Sequence, residues 1–300
     1  MSGIVEMTAR LRGVIAALPT PIDSGGAVDA PALGGLVDWL IDKGIDGVFA
    51  CGTTGEGALL TDDERVAVAR VVADTAGGRV PVIAHVGAPP TAQVLDLARR
   101  CRDAGADALA AVPPYYYRCG DAEVATHFAA LAGAVPDRPV LLYNIPQLTV
   151  NTITPAVVRE LREVPNIVGI KDSSGDLNGL LRIGAAARPG FRLIVGSDLL
   201  ALQVAALGWS ALVSGPASAV PEPYVDLWEA AAGGSWEGLV AAYQRIARVV
   251  TAVRNGDIAC IKAVLALRGL AGPHVRLPLH PLTEDERQRL KVELGSLLAG

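Results

Sequence analysis

The segment NIVGIKDSSGD, residues 166–176, carries four apolar or glycine residues in the five positions before Lys171. A near-continuous apolar run of strand length implies burial on both faces, as in a parallel sheet covered by helices. The run ends on a cation, in a chain with only four lysines among its 26 Lys and Arg residues. A buried cation is costly unless it is paired or neutral. Lys171 is therefore either a salt-bridge partner or a working amine.

The same pattern recurs along the chain. Apolar runs stand at GVIAALP (13–19), DGVFACG (46–52), VPVIAHVG (80–87), DALAAVP (107–113), PVLLYNI (139–145), NIVGIKD (166–172), RLIVGSD (192–198) and SALVSG (210–215). Segments with apolar residues at i, i+3, i+4 separate them, such as LGGLVDWLIDKG (33–44) and DDERVAVARVVADTAGG (62–78). Thr61, with Glu64 three residues on, has the form of a capping box. Eight strand–helix units predict an α/β protein built as a closed (β/α)8 TIM barrel. No strand is followed by the GxGxxG turn of a dinucleotide-binding sheet. The expected barrel spans 1–222. Helical periodicity near 235–254, 257–270 and 283–298 predicts a C-terminal helical region, 223–300, packed on it.

Composition narrows the function classes. A net charge of −5 without a basic cluster argues against nucleic acid. The absence of an 18-residue apolar run or signal-peptide core points to a cytoplasmic protein with no membrane partner. Cys51, Cys101, Cys119 and Cys260 lack metal-like spacing and read as reduced thiols, with Cys119 in a loop. His85, His127, His274 and His280 form no ligand motif, so neither a metal nor a cofactor is expected.

Barrel enzymes carry their chemistry at the C-terminal ends of the strands. In this chain those ends hold the glycine-rich turn GTTGEG (52–57), PPYYYR (113–118), Tyr143, Lys171, Gly196–Asp198 and Ser214–Gly215. Each has an ordinary structural role open to it: a turn, an interface patch, a core tyrosine, or a Lys171–Asp198 ion pair. Their coincidence on one rim favours chemistry. A desolvated lysine loses its proton more easily, and the neutral amine attacks a ketone to form a Schiff base. Tyrosine and threonine hydroxyls suit the proton shuttle beside it. Alternation puts Lys171 and Ser173 on one side of the strand and Asp172 on the other. Backbone and hydroxyl donors of the glycine-rich turn suit a small carboxylate. The rim is thus fit to bind and activate a 2-oxo acid.

Thr20–Pro21, GTTGE (52–56), PYY (114–116), YNIP (143–146), GIKDSSGD (169–176) and VGSD (195–198) together resemble the dihydrodipicolinate synthase and N-acetylneuraminate lyase superfamily. The resemblance runs over nearly the whole length. It implies the (β/α)8 barrel with a helical extension, assembled as a homotetramer of tight dimers. It implies that Lys171 forms the Schiff base with pyruvate and that Tyr143 is the acid–base hydroxyl. Thr53 and Thr54 fall in the carboxylate-binding and relay turn, and the resemblance implies a relay linking Thr54, Tyr143 and the partner subunit's Tyr116. Gly52, Thr53, Leu148, Ser173, Gly196, Asp198 and Val213 are the expected substrate-binding positions.

Within that superfamily the synthases carry an arginine two residues after the proline of YN-x-P, where this chain has Leu148. A leucine cannot replace a guanidinium that grips a carboxylate. N-acetylneuraminate lyases accept leucine there but carry glutamate where this chain has Leu199. KDSSGD and GSD are more similar to 2-keto-3-deoxy sugar acid aldolases and related dehydratases. The expectation is a Schiff-base aldolase that cleaves or condenses a 2-oxo-3-deoxy acid, with pyruvate and an aldehyde as partners. Dihydrodipicolinate (4-hydroxy-tetrahydrodipicolinate) synthase, a dehydratase, and a non-catalytic 2-oxo-acid-binding protein are the alternatives.

Overall fold

The structure, a computed structural model, describes residues 2–298. After helix α1 (Ser2–Arg10), strands and helices alternate: β1 (Gly13–Ala17), α2 (Ala30–Asp42), β2 (Gly47–Ala50), α3 (Asp62–Ala76), β3 (Val82–His85), α4 (Thr91–Asp103). They continue as β4 (Ala108–Ala111), α5 (Asp121–Ala134), β5 (Val140–Asn144), a one-turn α6 (Pro146–Thr149), α7 (Pro155–Leu161) and β6 (Ile167–Asp172). Then follow α8 (Leu177–Ala186), β7 (Arg192–Val195), α9 (Ala201–Ala206), β8 (Ala211–Ser214) and α10 (Glu222–Ala232). The chain ends with α11 (Trp236–Ala252), α12 (Ile258–Leu267) and α13 (Glu284–Leu294).

The eight parallel strands pair in sequence order and β8 closes on β1, giving the expected (β/α)8 barrel. Every expected strand forms, each within the apolar run that predicted it. Alternation sorts the side chains into two cores. Ile15, Phe49, Ile83, Leu141, Tyr143, Ile194 and Val213 fill the barrel, while Val14, Val48, Val82, Leu142, Val195 and Leu212 meet the surrounding helices. Fully burying each such aliphatic side chain contributes about 1.5–3 kcal/mol.

Local signals start and stop the helices. Thr61 and Glu64 form the reciprocal capping box at the head of α3, and Gly77 ends that helix in the left-handed region. Thr283 and Glu286 repeat the box at α13. Helix α1 falls outside the sequence expectation; its Ile4 packs against the barrel interior close to buried Leu11. The 222/223 boundary drawn from sequence falls at the first turn of α10, which follows β8 as the earlier helices follow their strands. Helices α11–α13 then form the extension.

Candidate active site

Strand register brings the central groups together. Lys171 on β6 pairs across to Tyr143 on β5 and to Ile194 on β7, which places its side chain inside the barrel. Lys171 is 5% exposed. Its Nζ lies 3.6 Å from the centroid of the Tyr143 ring and 4.6 Å from that of Phe49. Among the described residues no carboxylate forms an ion pair with it. Asp172, on the opposite face of β6, accepts instead from Asn144 Nδ2 (2.7 Å) and from the backbone and hydroxyl of Ser174. Asp198 Oδ1 accepts from Ser214 Oγ. Both candidate counter-ions are therefore occupied elsewhere.

The Tyr143 hydroxyl is 3.2 Å from Thr53 Oγ1. Burial pushes its pKa up, but the neighbouring Lys171 cation and hydrogen bonds from Lys171, Thr53 and Ser173 outweigh burial and hold it below the usual tyrosine value. Asp198 moves the other way: burial raises its carboxyl above the usual range, against the lowering hydrogen bond from Ser214. A catalytic Tyr needs this kind of tuned hydroxyl, able to take and return a proton.

Glycines make the space. A Cβ on Gly196 would stand 2.0 Å from Ser173 Oγ and 3.1 Å from Lys171 Cε. On Gly52 it would meet the Phe49 ring at 2.8 Å. The turn itself is tightly wound. Cys51, just before it, and Glu56, within it, have positive φ, as do Tyr116 and Val150 on the same rim. Left-handed backbone at non-glycine residues costs of order 1–3 kcal/mol each and concentrates at functional sites. Thr20 of the Thr-Pro pair anchors the turn by donating to Gly55 O (2.7 Å).

The structure separates the two threonines. Thr53 meets Tyr143, whereas Thr54 Oγ1 lies on the β8 side, 2.7 Å from where a Gly215 Cβ would stand. The hydroxyl in contact with Tyr143 is thus Thr53, not the Thr54 expected from sequence; the tight turn points adjacent residues in different directions. Tyr116 is 80% exposed at a positive φ, with its ring against Tyr117, and it does not reach Lys171 of its own chain. Tyr115 turns inward to a cavity of about 220 Å3 that also touches Gly52, Thr53 and Leu148. Val213 is buried in the barrel interior.

The dihydrodipicolinate synthetase family pattern matches residues 10–297. A 4-hydroxy-tetrahydrodipicolinate synthase of Saccharophagus degradans is 39% identical over 284 residues, 94% of this chain and 97% of that protein. The chain belongs to the dihydrodipicolinate synthetase family. It is thereby a carbon–carbon lyase of the aldolase kind that this family comprises. An uncharacterized DapA-like lyase of Halobacterium salinarum is 36% identical, covering 96% of this chain and 94% of its own. Among solved structures, YagE, a prophage protein of the dihydrodipicolinic acid synthase family from E. coli in complex with pyruvate, superposes with a TM-score of 0.90. It is 30% identical and covers 95% of this chain and 98% of its own.

Some members of this family site were not singled out from sequence. His85, at the end of β3, stands edge-on to Tyr143 with ring centroids 5.7 Å apart. Burial, then the charges of Arg65 and Lys171, push its pKa well below the usual histidine value, so the ring is neutral. Nδ1 lies 3.1 Å from Cys51 O and Nε2 accepts from Val112 N, which fits the Nδ1–H tautomer. Its position at a strand end was the available signal. Glu56 of GTTGE forms a fully buried ion pair with Lys262 of α12. Glu56 also accepts from Arg276 N, and Lys262 donates to His274 O, so the extension clasps the GTTGEG turn. Asn144 and Asn151 hold the loops: Asn144 Oδ1 accepts from Thr152 and Ile153, and Asn151 Nδ2 donates to Pro114 O and Tyr117 O.

Proposed function

We propose that the chain is a Schiff-base aldolase that splits a 4-hydroxy-2-oxo-3-deoxy acid into pyruvate and an aldehyde, or joins the two. The observation that carries this reading is the buried Lys171 amine, without a carboxylate partner and set against the Tyr143 ring. The neutral Nζ amine attacks the C2 carbonyl, and the C2 hydroxyl leaves as water with the Tyr143 proton, giving the protonated imine and the Tyr143 phenolate. The Tyr143 oxygen takes the proton of the C4 hydroxyl, the C4 oxygen forms the carbonyl, and the C3–C4 bond breaks. Its electron pair moves into the imine to give the enamine, and the aldehyde departs. Tyr143 returns a proton to C3, and water attack at C2 releases pyruvate and the free amine.

Thr53 supports Tyr143 as the relay hydroxyl, and Thr54 with the turn's backbone receives the pyruvate carboxylate. Gly196 leaves room for the C2–C3 unit beside Lys171, with Ser173, Asp198 and Val213 around it. Tyr116, exposed in one chain, completes the relay of a neighbouring subunit in a cytoplasmic homotetramer of tight dimers. Leu148 favours the aldolase over the synthase, because nothing there grips the second carboxylate of aspartate semialdehyde. The synthase reading is kept in view by the names of the relatives, and both share the imine on Lys171.

The deciding experiment is borohydride reduction with pyruvate, followed by peptide mapping. A reduced adduct on Lys171 is expected, and its absence sinks the reading.

A further inference from the structure

The cavity beside the Tyr143–Thr53 pair has a composition that selects the aldehyde half of the substrate. About 220 Å3 in volume, it opens on the Thr53 hydroxyl and is walled by Leu59, Val112, Tyr115, Ile145, Leu148 and Ile258. No lysine or arginine lines it. Leu148 is 59% exposed here, an arrangement that leaves its apolar surface free to meet a ligand.

Apart from the Tyr115 hydroxyl, the polar side chains that touch the cavity are engaged. Glu56 is neutralised by Lys262 and accepts from Arg276 N (2.6 Å). His85 is neutral and uses both ring nitrogens on Cys51 O and Val112 N. Thr149 Oγ1 donates to Asn151 O at 2.7 Å, and Thr53 Oγ1 faces Tyr143 OH. A ligand tail entering this space gains apolar contact and finds one unpartnered side-chain donor, the Tyr115 hydroxyl. That one hydroxyl does not replace the water that a carboxylate or a row of hydroxyls would lose there, which is unfavourable. An apolar cavity of about 150 Å3 already takes up benzene, so this one accommodates a six-carbon ring or a branched alkyl chain.

We infer that this cavity is the aldehyde subsite and that the enzyme's substrates carry an aryl or branched-alkyl group beyond C4, not a polyhydroxylated or anionic one. The inference rests on the Schiff-base reading above and narrows it. The expected sugar-acid tail, with several hydroxyls, meets only the Tyr115 hydroxyl as a free side-chain donor in this cavity, whereas the 4-hydroxy-2-oxo acid head is unchanged.

The test is pyruvate-dependent aldol addition by the full-length protein, with kcat/KM compared for benzaldehyde, 3-methylbutanal, glyceraldehyde and aspartate semialdehyde. The two apolar aldehydes are expected to lead the polar ones by at least about tenfold, the lower end of what an apolar pocket achieves per small group. Val112→Thr, which exchanges a wall methyl for a hydroxyl, is expected to shrink that lead. Leu148→Arg is expected to shift the preference toward aspartate semialdehyde. Glyceraldehyde or aspartate semialdehyde preferred by the unmodified protein overturns the inference. The same samples are reduced with borohydride: an adduct on Lys171 without an apolar preference removes only the substrate class, and no adduct removes the Schiff-base reading with it.

Discussion

Lys171 Nζ and the Tyr143 ring centroid lie 3.6 Å apart across the β5–β6 pair, so amine and phenol are set by one strand register. A slip of one residue in either strand would send that strand's side chain to the helix-facing side of the barrel. The consequence is that the amine and the phenol share one strand frame, and neither depends on a loop for its position.

Replacing Tyr143 by Phe keeps the ring beside Lys171 and removes the hydroxyl. Loss of a positioned acid–base group costs about 100- to 10,000-fold in rate. We expect kcat for cleavage to fall within that range while borohydride still traps pyruvate on Lys171. The pH profile gives a second reading. Cleavage needs the phenol oxygen as acceptor, and its pKa is held below the usual tyrosine value. Cleavage by the unmodified protein should therefore rise with pH earlier than an ordinary tyrosine would allow, and the phenylalanine variant should lose that limb.

Thr53 and Thr54 are adjacent in the chain but face different neighbours, Tyr143 and Gly215. Thr53→Val removes the hydroxyl 3.2 Å from Tyr143 and is expected to lower kcat by about tenfold, near the upper end for one hydrogen bond. Thr54→Val is expected to raise the KM for pyruvate instead, with kcat much less changed. Steady-state kinetics of the two variants decides between them; an equal kcat loss in both would place the relay elsewhere.

The barrel was legible because eight apolar runs, each ended by a polar rim, admit few other arrangements. Lys171 and Tyr143 were legible for the same reason, since each is the chemical exception at the end of a buried strand. The order of Thr53 and Thr54 was not. Between Cys51 and Glu56 the chain takes left-handed backbone at both ends, and strand alternation no longer tells which hydroxyl faces inward. The clasp of Glu56 by the extension was hidden by distance: Arg276 N reaches it from 220 residues along the chain, a contact that no local spacing encodes. Helix α1 is only nine residues long and precedes the first strand, outside the strand–helix repeat, and its docking depends on the barrel interior offering a place for Ile4.

Gly196 is expected to tolerate no side chain. The Cβ of alanine would stand 2.0 Å from Ser173 Oγ and 3.1 Å from Lys171 Cε, and the lysine chain must shift. A displacement of about 1 Å at a reacting group costs about 100-fold. Gly196→Ala should trap far less pyruvate on Lys171 at a fixed time while its melting curve changes little. Unchanged trapping would show that the amine has more freedom than this geometry allows.

His127 gives the protein a pH-dependent stability unrelated to catalysis. Its Nδ1 lies 2.9 Å from Thr91 Oγ1, and burial lowers its pKa from 6.5 to about 4. The unfolded chain takes up this proton below about pH 6.5, but the folded chain waits until about 4. Stability attributable to His127 is therefore full above that window and declines as pH falls through it, by about 3 kcal/mol at most. Urea unfolding at a series of pH values should show the decline, and a His127→Gln variant should flatten it.

The Glu56–Lys262 pair joins the extension to the GTTGEG turn with both side chains almost wholly buried. Removing one partner strands a charge in the interior, which costs about 3–5 kcal/mol, whereas removing both is far milder. Lys262→Met is therefore expected to lower the urea midpoint sharply, and Glu56→Gln with Lys262→Met to recover much of the loss. Activity should not recover in parallel. In the double variant the turn loses the carboxylate that holds Arg276 N and the ammonium that holds His274 O. Thr53 and Thr54 are then less firmly placed, and the KM for pyruvate should stay high in a protein that is again stable. Recovery of stability and KM together would mean that the pair serves folding alone.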